Sequence, residues 1–371
     1  MNTAVDFLPP NPGELPRGAD CGAGLLVVDK PQGLTSNQVL SRVRRIAGQK
    51  KVGYAGTLDP MATGLLIFAL GKATKLLQYL GSSDKAYVAR VRFGVSTDTD
   101  DAAGTVVGAA GAGGLTGSVL ADSLGAYRGA IHQVPSSFSA IKVAGQRAYA
   151  LARQGQDVKL KSRPVTISRL ELESGLAPHE IDVSIGRAAQ ETTPRNPGGE
   201  NPGATGGGAA LAAADGGRVT VVDVDIAVEC SAGTYIRALA RDLGRDLGTG
   251  AHLTALRRTR VGNYGLEAAR NLAELGEEVA TQGIISIIPL DAAVKALFPT
   301  LELNETQARA LGYGQTVTLP SPPPALYDNN QPLAAALDEA GQVIALVTLR
   351  VGDTAIRVKP TWVLRPAVAA S

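Results

Sequence analysis

The residues most suggestive of chemistry lie in the segment GYAGTLDPMATGLL, residues 53–66. Its single carboxylate, Asp59, precedes Pro60, and no other Asp or Glu occurs within ten residues on either side. Glycines surround it, including Gly56 and Gly64. A carboxylate acting alone on a rigid loop can serve as a nucleophile or as a base. The alternative is a structural role, which residue types alone favour, because Asp before Pro often stabilises a turn.

A lone catalytic carboxylate needs a cation nearby if it is to stay ionised under a bound substrate. Arg237, in the segment CSAGTYIR, is the candidate. Thr234 is expected to cap a helix there and to place Tyr235 and Arg237 in its first turn.

Other kinds of active site lack their motifs in this chain. The three histidines, His132, His179 and His252, show no metal-ligand spacing, so we expect no metal. The segment STDTDDAAG resembles a calcium loop but has Ala109 where a ligating Glu is required. Neither a phosphate loop ending in GKS or GKT nor a G-x-S-x-G motif occurs.

Basic residues gather in three runs although the formal net charge is only +2. Each run could be an ordinary solvated face, but together they are typical of a surface that contacts nucleic-acid phosphates. Tyr149 and Phe138 are interleaved and could stack on bases, or belong to the core. The basic residues are Arg42, Arg44, Arg45, Lys50 and Lys51; Lys142, Arg147, Arg153, Lys159, Lys161 and Arg163; and Arg257, Arg258 and Arg260.

Composition indicates a globular protein of a reducing compartment. Of 371 residues, 44% are hydrophobic, which is ordinary for a globular chain, and the two cysteines form no disulfide framework. The first residues lack the apolar region of a signal peptide, and the longest apolar run is too short to span a bilayer. We therefore expect a soluble, cytoplasmic protein without a membrane partner.

The pattern divides the chain into three parts. Residues 1–23 resemble a disordered tail, residues 24–295 a large ordered domain, and residues 296–371 a small β-rich domain. Within the large domain, residues 187–217 are rich in Gly, Pro and Ala and are predicted to be a flexible insertion between two strands.

Strand and helix patterns within the large domain predict an α+β fold. Residues 25–29 form a buried strand, and Ser36 is expected to cap the helix that follows. Clean alternation predicts strands at 87–95 and on both sides of the insertion. Because pairs of strands precede each helix, we predict a mixed, largely antiparallel sheet flanked by helices.

Several motifs, in order, resemble the TruB family of pseudouridine synthases. GYAGTLDPMATGLL is similar to the family's catalytic motif, and LLVVDKPQGLTSNQVL to its first motif, with Lys30 in place. SDKAYVARVRFGVSTDTDDAAG, IHQVPSSFSAIKVAGQRAYALARQG, CSAGTYIRALARDLG and HLTALRRTRVG resemble further blocks. The resemblance covers about residues 24–265, and the region from about 299 is similar to the family's small PUA-like RNA-binding domain.

The resemblance implies isomerisation of uridine to pseudouridine at position 55, in the T loop of tRNA, without a cofactor. Asp59 would be the nucleophile, with Arg237 paired to it. Tyr87 would contact the flipped base and transfer a proton, Tyr235 would line the base pocket, and Leu256 would cover the base. The partner would be the tRNA T stem-loop, and the protein is expected to be a monomer.

Two further positions are assigned to substrate binding on the same ground. Lys30 belongs to the first motif. Tyr54 stands where the family usually has a His that contacts RNA, so a protonatable contact is lost, although tyrosine can still stack and donate one hydrogen bond. The alternatives are a pseudouridine synthase for another RNA, or a non-catalytic RNA-binding or RNA-folding protein in which Asp59 is structural.

Overall fold

The computed structural model describes residues 13–136, 142–143, 146–147, 160–184, 217–320, 333–352 and 355–367. Almost all of the predicted insertion, 187–217, lies outside these residues. So do Phe138 and Tyr149, Arg153 and Lys159 of the second basic run, and residues 1–12 of the predicted tail.

Regular structure occupies most of the described chain. The strands are β1 (Gly24–Lys30), β2 (Val52–Ala55), β3 (Thr63–Leu70), β4 (Lys85–Phe93), β5 (Ser96–Thr97), β6 (Val106–Gly108), β7 (Gly129–Gln133), β8 (Lys142–Val143), β9 (Gln146–Arg147), β10 (Arg163–Leu172), β11 (Ala177–Val183), β12 (Gly217–Cys230), β13 (Ala251–Val261), β14 (Tyr264–Gly265), β15 (Ile288–Pro289), β16 (Thr300–Glu302), β17 (Val317–Pro320), β18 (Leu333–Leu337), β19 (Val343–Val351) and β20 (Ala355–Val363). The helices are α1 (Ser36–Ile46), α2 (Leu77–Ser82), α3 (Gly117–Gly125), α4 (Ile236–Asp246), α5 (Leu272–Gln282), α6 (Leu290–Leu297) and α7 (Glu305–Gly312), with 3-10 turns at Gly71–Leu76 and Leu266–Ala268.

A mixed sheet forms the centre of the molecule. Its principal strand order in the described residues is β15-β1-β3-β13-β4-β12-β10-β7, with β2, β11 and β14 paired at its sides. The β3–β13 pairing is parallel and the others are antiparallel. The prediction of an α+β fold with a largely antiparallel sheet is confirmed.

Residues 25–28 of β1 and 65–70 of β3 are continuously apolar because both faces of these strands are covered. Successive side chains of a strand point to opposite faces. Leu26 and Val28 pack with α1 and α5 in one core cluster, whereas Leu25 and Val27 pack with α6 in another. This explains why the sequence there shows a continuous apolar run rather than alternation.

The β-rich C-terminal domain is a five-stranded sheet, β16-β18-β19-β20-β17. It is packed onto the central sheet, because Val343, Leu346 and Leu364 belong to the same apolar cluster as Leu25. Lys75 also lies over the ring of Trp362, with its ammonium 5.1 Å from the ring centre. The two sheets therefore share one hydrophobic core.

Two details of the sequence prediction need correction. The predicted disordered tail is wrong for residues 13–23, because Leu15 is buried in the main core and the Gly18 amide donates to the carbonyl of Arg45. Strand β11 was not predicted, because five of its seven residues are exposed and its apolar pattern is short. No helix in the described part of the chain is long and apolar enough to cross a membrane.

Candidate active site

The loop that carries Asp59 is tied to the start of α1. The Ser36 hydroxyl donates to the Leu58 carbonyl at 3.0 Å and accepts from the Leu58 amide at 2.9 Å. The N-cap of α1 is Thr35, within a capping box, and not Ser36 as the sequence suggested. Ser36 is instead used to hold the backbone immediately before Asp59, and its hydroxyl is buried.

Lys30 also supports the loop that carries Asp59. Its side chain is fully buried, and its Nζ donates to the carbonyls of Pro31 (2.8 Å), Pro60 (3.3 Å) and Ala62 (2.6 Å). Burial lowers the pKa of Lys30 to about 8, although Asp59 acts in the opposite direction. Lys30 therefore positions the loop, and its assignment to substrate binding stays a prediction.

Two glycines of the loop face the buried side chain and backbone of Arg258. Gly64 has φ +96°, and a Cβ there would lie 2.2 Å from the Arg258 carbonyl oxygen. Gly56 has φ +70°, and its Cβ would lie 3.2 Å from Arg258 Nη1. Glycine is thus required for close approach of β13, both sterically and by its left-handed backbone.

Arg258 hydrogen bonds to the backbone on both sides of Asp59. Its Nε donates to the Leu65 carbonyl at 2.7 Å and its Nη2 to the Gly56 carbonyl at 2.9 Å. Sequence reasoning placed Arg258 in a basic surface run, but it is only 1% exposed. Its neighbours in that run, Arg257 and Arg260, pair with Asp29 and Glu229. The prediction of a phosphate-binding surface is therefore wrong for Arg258, and it stays a prediction for Arg257 and Arg260.

Asp59 forms the ion pair expected from the sequence. Arg237 Nε lies 2.9 Å from Asp59 Oδ2, and the side chain of Arg237 is 5% exposed against 37% for Asp59. The same guanidinium reaches Asp101 through Nη1 at 3.3 Å and donates to the Thr99 carbonyl at 2.8 Å. The carboxylate is thus presented to the solvent side by a fixed, buried cation.

The start of α4 differs from the sequence prediction in its cap. Tyr235 is the N-cap residue, and the Thr234 hydroxyl donates to the Ser231 carbonyl instead. Gln133, buried at the end of β7, bonds both backbone groups of Tyr235, accepting from its amide at 2.8 Å and donating to its carbonyl at 3.0 Å. Sequence reasoning missed Gln133 because its partner lies far along the chain.

A cavity of about 320 Å³ opens at Asp59. It brings together Tyr87, Tyr235 and Leu256, three residues that the resemblance assigned to the base pocket, with Asp59 and Arg237. The remaining lining residues include two that sequence reasoning did not single out for the site, Lys85 and Arg258. Tyr87 and Leu256 are buried on adjacent strands, and such aromatic and aliphatic walls suit a planar ring.

Tyr54 lies outside this cavity. It is half-buried on β2, its hydroxyl donates to Asn37 Oδ1 at 3.1 Å, and its ring meets Phe68 edge-on. Its predicted contact with RNA therefore stays a prediction, for the rim of the site rather than its interior.

Burial dominates the ionisation of the carboxyl and phenol groups in the cavity. Desolvation raises the pKa of Asp59 above its usual value, opposed by Arg237 and reinforced by Asp101. Desolvation likewise raises the pKa of Tyr87, opposed by Arg258, and that of Tyr235. The two phenols are therefore protonated at neutral pH and can donate hydrogen bonds. Among the described residues, no group of three or more His, Cys, Asp or Glu side chains is arranged to hold a metal.

Most of the chain that forms the mixed sheet and its cavity matches two family models. Residues 44–189 match the profile of the TruB family pseudouridylate synthase N-terminal domain, and residues 237–295 match that of the tRNA pseudouridylate synthase B C-terminal domain. The chain is 44% identical over 349 residues to the tRNA pseudouridine synthase B of Arthrobacter sp. (strain FB24), covering 93% of this chain and 97% of that protein. It is 41% identical over 355 residues to the Rhodococcus jostii (strain RHA1) protein of the same name, covering 95% and 98%. The chain therefore belongs to the TruB family.

Solved structures share the fold at lower sequence identity. The chain aligns with a protein in an H/ACA RNP bound to a substrate RNA containing 2'-deoxyuridine, with a TM-score of 0.60, 22% identity and coverage of 93% of this chain and 86% of that one. A chain of a Cbf5-Nop10-Gar1 complex gives a TM-score of 0.60 and 22% identity, with coverage of 93% and 85%.

Proposed function

We propose that this chain converts uridine to pseudouridine at position 55 in the T loop of tRNA, with Asp59 as the nucleophile. The observation that carries the proposal is the Asp59–Arg237 ion pair at the mouth of a cavity walled by two tyrosines and a leucine. The relatives' shared name, tRNA pseudouridine synthase B, supports tRNA as the substrate.

The reaction requires a nucleotide that has left the base stack. The bond between uracil N1 and ribose C1′ breaks, the base rotates, and a bond forms between C5 and C1′. C5 loses its hydrogen as a proton and N1 gains one, so the product is an isomer of the substrate. No oxidant or reductant is consumed.

Each wall residue has a defined task in this proposal. Arg237 holds Asp59 in place and favours its ionised, nucleophilic form against the cost of burial. Tyr87, protonated and buried, contacts the base; its phenol donates a proton to N1 as the N1–C1′ bond breaks, and the resulting phenolate takes the proton that leaves C5. Tyr235 lines the pocket at the helix start, and Leu256 covers the apolar edge of the base. Tyr54 contacts the RNA at the rim.

The C-terminal sheet and its flanking chain, residues 296–371, are proposed to bind RNA away from the reacting nucleotide, since the cavity residues all precede it. Residues 24–295 then form the catalytic part. The sharing of a core between the two sheets supports a fixed rather than a tethered arrangement.

The substitution Asp59→Asn tests residue, reaction and substrate together. The amide keeps the size of the side chain but removes the charge and the nucleophile. We expect the variant to bind an unmodified T stem-loop nearly as well as the wild type, but to release no tritium from uridine labelled at C5. Asp122→Asn, an exposed substitution on α3, is the matched control and should retain full activity.

The outcomes separate the alternatives. Tritium release by Asp59→Asn at the wild-type rate would show that Asp59 has only a structural role in its turn. Any catalysis would then depend on a different group. A wild type inactive on the T stem-loop but active on ribosomal or another RNA would refute the substrate assignment. Tight binding without turnover on any RNA would indicate an RNA-binding or RNA-folding protein.

A further inference from the structure

A basic groove lies at the C-terminal end of α1, away from the cavity. Its volume is about 370 Å³, and we call it the α1 groove. The residues that line it are Gly13, Arg17, Ser41, Arg44, Arg45, Gly48, Gln49 and Lys50. Four of these eight carry a positive charge and none is acidic, although the residues come from two separate segments of the chain.

The four cations of the α1 groove keep their charge available. Among the described residues, no carboxylate oxygen lies within 4.0 Å of the charged atoms of Arg17, Arg44, Arg45 or Lys50. The nearby acid Asp20 is occupied, since it accepts from the Gly22 amide and from Gln49. This differs from the run at Arg257–Arg260, where the flanking arginines are neutralised by carboxylates.

Two of the arginines are also held in place before any ligand arrives. Arg44 Nη2 donates to the Val52 carbonyl at 3.0 Å, and Arg45 donates through Nε to the Leu15 carbonyl. A guanidinium has five N–H donors, so donors remain for a ligand on both side chains. Because part of their side-chain freedom is already lost, less entropy is lost when they bind. A purely solvated surface arginine has no such anchoring.

One polar face of α1 runs from the α1 groove towards Tyr54. Asn37, Ser41 and Arg44 are exposed and spaced four and three residues apart, which places them along one side of α1. Asn37 accepts from the Tyr54 hydroxyl, and the other end of α1 holds the Asp59 loop through Ser36. The helix has 11 residues, so about 16 Å separates its ends.

We propose that the α1 groove binds phosphates of the RNA stem adjoining the loop whose nucleotide enters the cavity. The proposal rests on the proposed function, because it takes the same RNA as its ligand. Several cations in a row suit a chain of phosphates better than a single anion. The polar face that leads to Tyr54 gives the RNA a path from the cavity. Arginine forks match phosphate oxygens in geometry as well as in charge.

The plain alternative is that these residues only offset the partial negative charge at the end of α1. The double variant Arg17→Ser/Lys50→Ser separates the two explanations, since neither residue belongs to α1 and neither side chain hydrogen bonds to a described residue. The matched control, Arg169→Ser/Arg218→Ser, also removes two positive charges, but each of these is paired with a carboxylate.

The dissociation constant for an unmodified T stem-loop hairpin is measured over a series of salt concentrations. Each lost phosphate contact reduces the slope of log K against log salt by roughly 0.7 to 0.9. We therefore expect the slope of the groove variant to fall by about 1.4 to 1.8, with the single-turnover rate at saturating hairpin unchanged. The control should keep the wild-type slope.

An unchanged slope in the groove variant, or an equal fall in the control, would overturn the proposal. The binding readout is independent of chemistry. If the groove variant lowered the slope but the wild-type protein released no tritium from the hairpin, phosphate binding at the α1 groove would stand. The proposed function would be refuted.

Discussion

Removing the charge of Arg237 tests the electrostatic design of the site most directly. In Arg237→Gln, Asp59 loses a cation at 2.9 Å while Asp101 remains beside it. An opposite charge this close lowers the pKa of a carboxyl group by roughly 1 to 3 units. Because Asp59 is 37% exposed, solvent screens part of this interaction, and we expect its pKa to rise further on substitution.

The sign of the pH effect follows from the reactive form. The pKa of Asp59 is already above its usual value, and activity needs the carboxylate, so the wild-type rate falls as pH drops through that pKa. In the variant this acid limb should move to higher pH, because the Asp59 carboxyl has lost its neighbouring cation. At pH values above both limbs, a loss of about 10²- to 10³-fold should remain, because a preorganised charge has been removed from the site.

The assay is single-turnover tritium release from the T stem-loop, measured from acidic to mildly alkaline pH. Folding is followed by urea denaturation, because removing one partner of a buried pair costs about 3 to 5 kcal/mol. The lower value is expected, since Asp101 keeps hydrogen bonds from Thr99 and the Ala103 amide. Arg241→Gln, one turn further along α4 and paired with Asp100, is the control. An acid limb that stays at its wild-type position in Arg237→Gln would refute the reasoning.

Three further substitutions examine the supports of the site. Tyr87→Phe keeps the buried ring and removes the proton donor, so hairpin affinity should persist while single-turnover tritium release falls by about 10²-fold or more; a fall within twofold would exclude proton transfer by Tyr87. Lys30→Met leaves three carbonyls without their donor and should lower the free energy of unfolding by about 2 to 4 kcal/mol in urea titrations. The pKa of Lys30 in the folded chain is about 8, below its ordinary 10.5, so the unfolded chain binds more protons between these two pH values. The free energy of unfolding of the wild type, relative to that of Lys30→Met, should therefore rise with pH over this window. A difference that stays constant with pH would contradict the assignment. Gly64→Ala forces a Cβ to 2.2 Å from the Arg258 carbonyl at positive φ and should cost more than about 2 kcal/mol of stability, whereas Gly175→Ala, with open space around it, should be nearly neutral in the same titration.

Sequence reasoning located the functional groups that sit within recognisable local motifs. Asp59 and Arg237 were paired in advance because a lone carboxylate under a substrate needs a cation. Alternation in β4 also placed Tyr87 on a strand. These inferences depend on short-range patterns or on a single strong electrostatic requirement. Neither kind of inference needs information about tertiary packing.

The supports of the site could not be predicted, because their roles depend on contacts between distant segments. Arg258 belongs to a run of basic residues that resembles a surface, and only the parallel pairing of β13 with β3 turns it inward. Lys30 is charged, which argues for exposure, yet three carbonyls of a turn satisfy it. Gln133 carries no local signal at all for its bonds to Tyr235.

The apolar cluster shared by the two sheets has a consequence for synthesis on the ribosome. Leu25 and Ile67 emerge early, but Leu346 and Leu364, which cover the same face, are made last. Until then the outer face of β1 and β3 is covered only in part, by residues that include those of α2 and α6. A nascent chain of this protein therefore exposes part of this apolar face for nearly the whole time of translation. Chaperone binding should concentrate on that face and end when the final strands arrive.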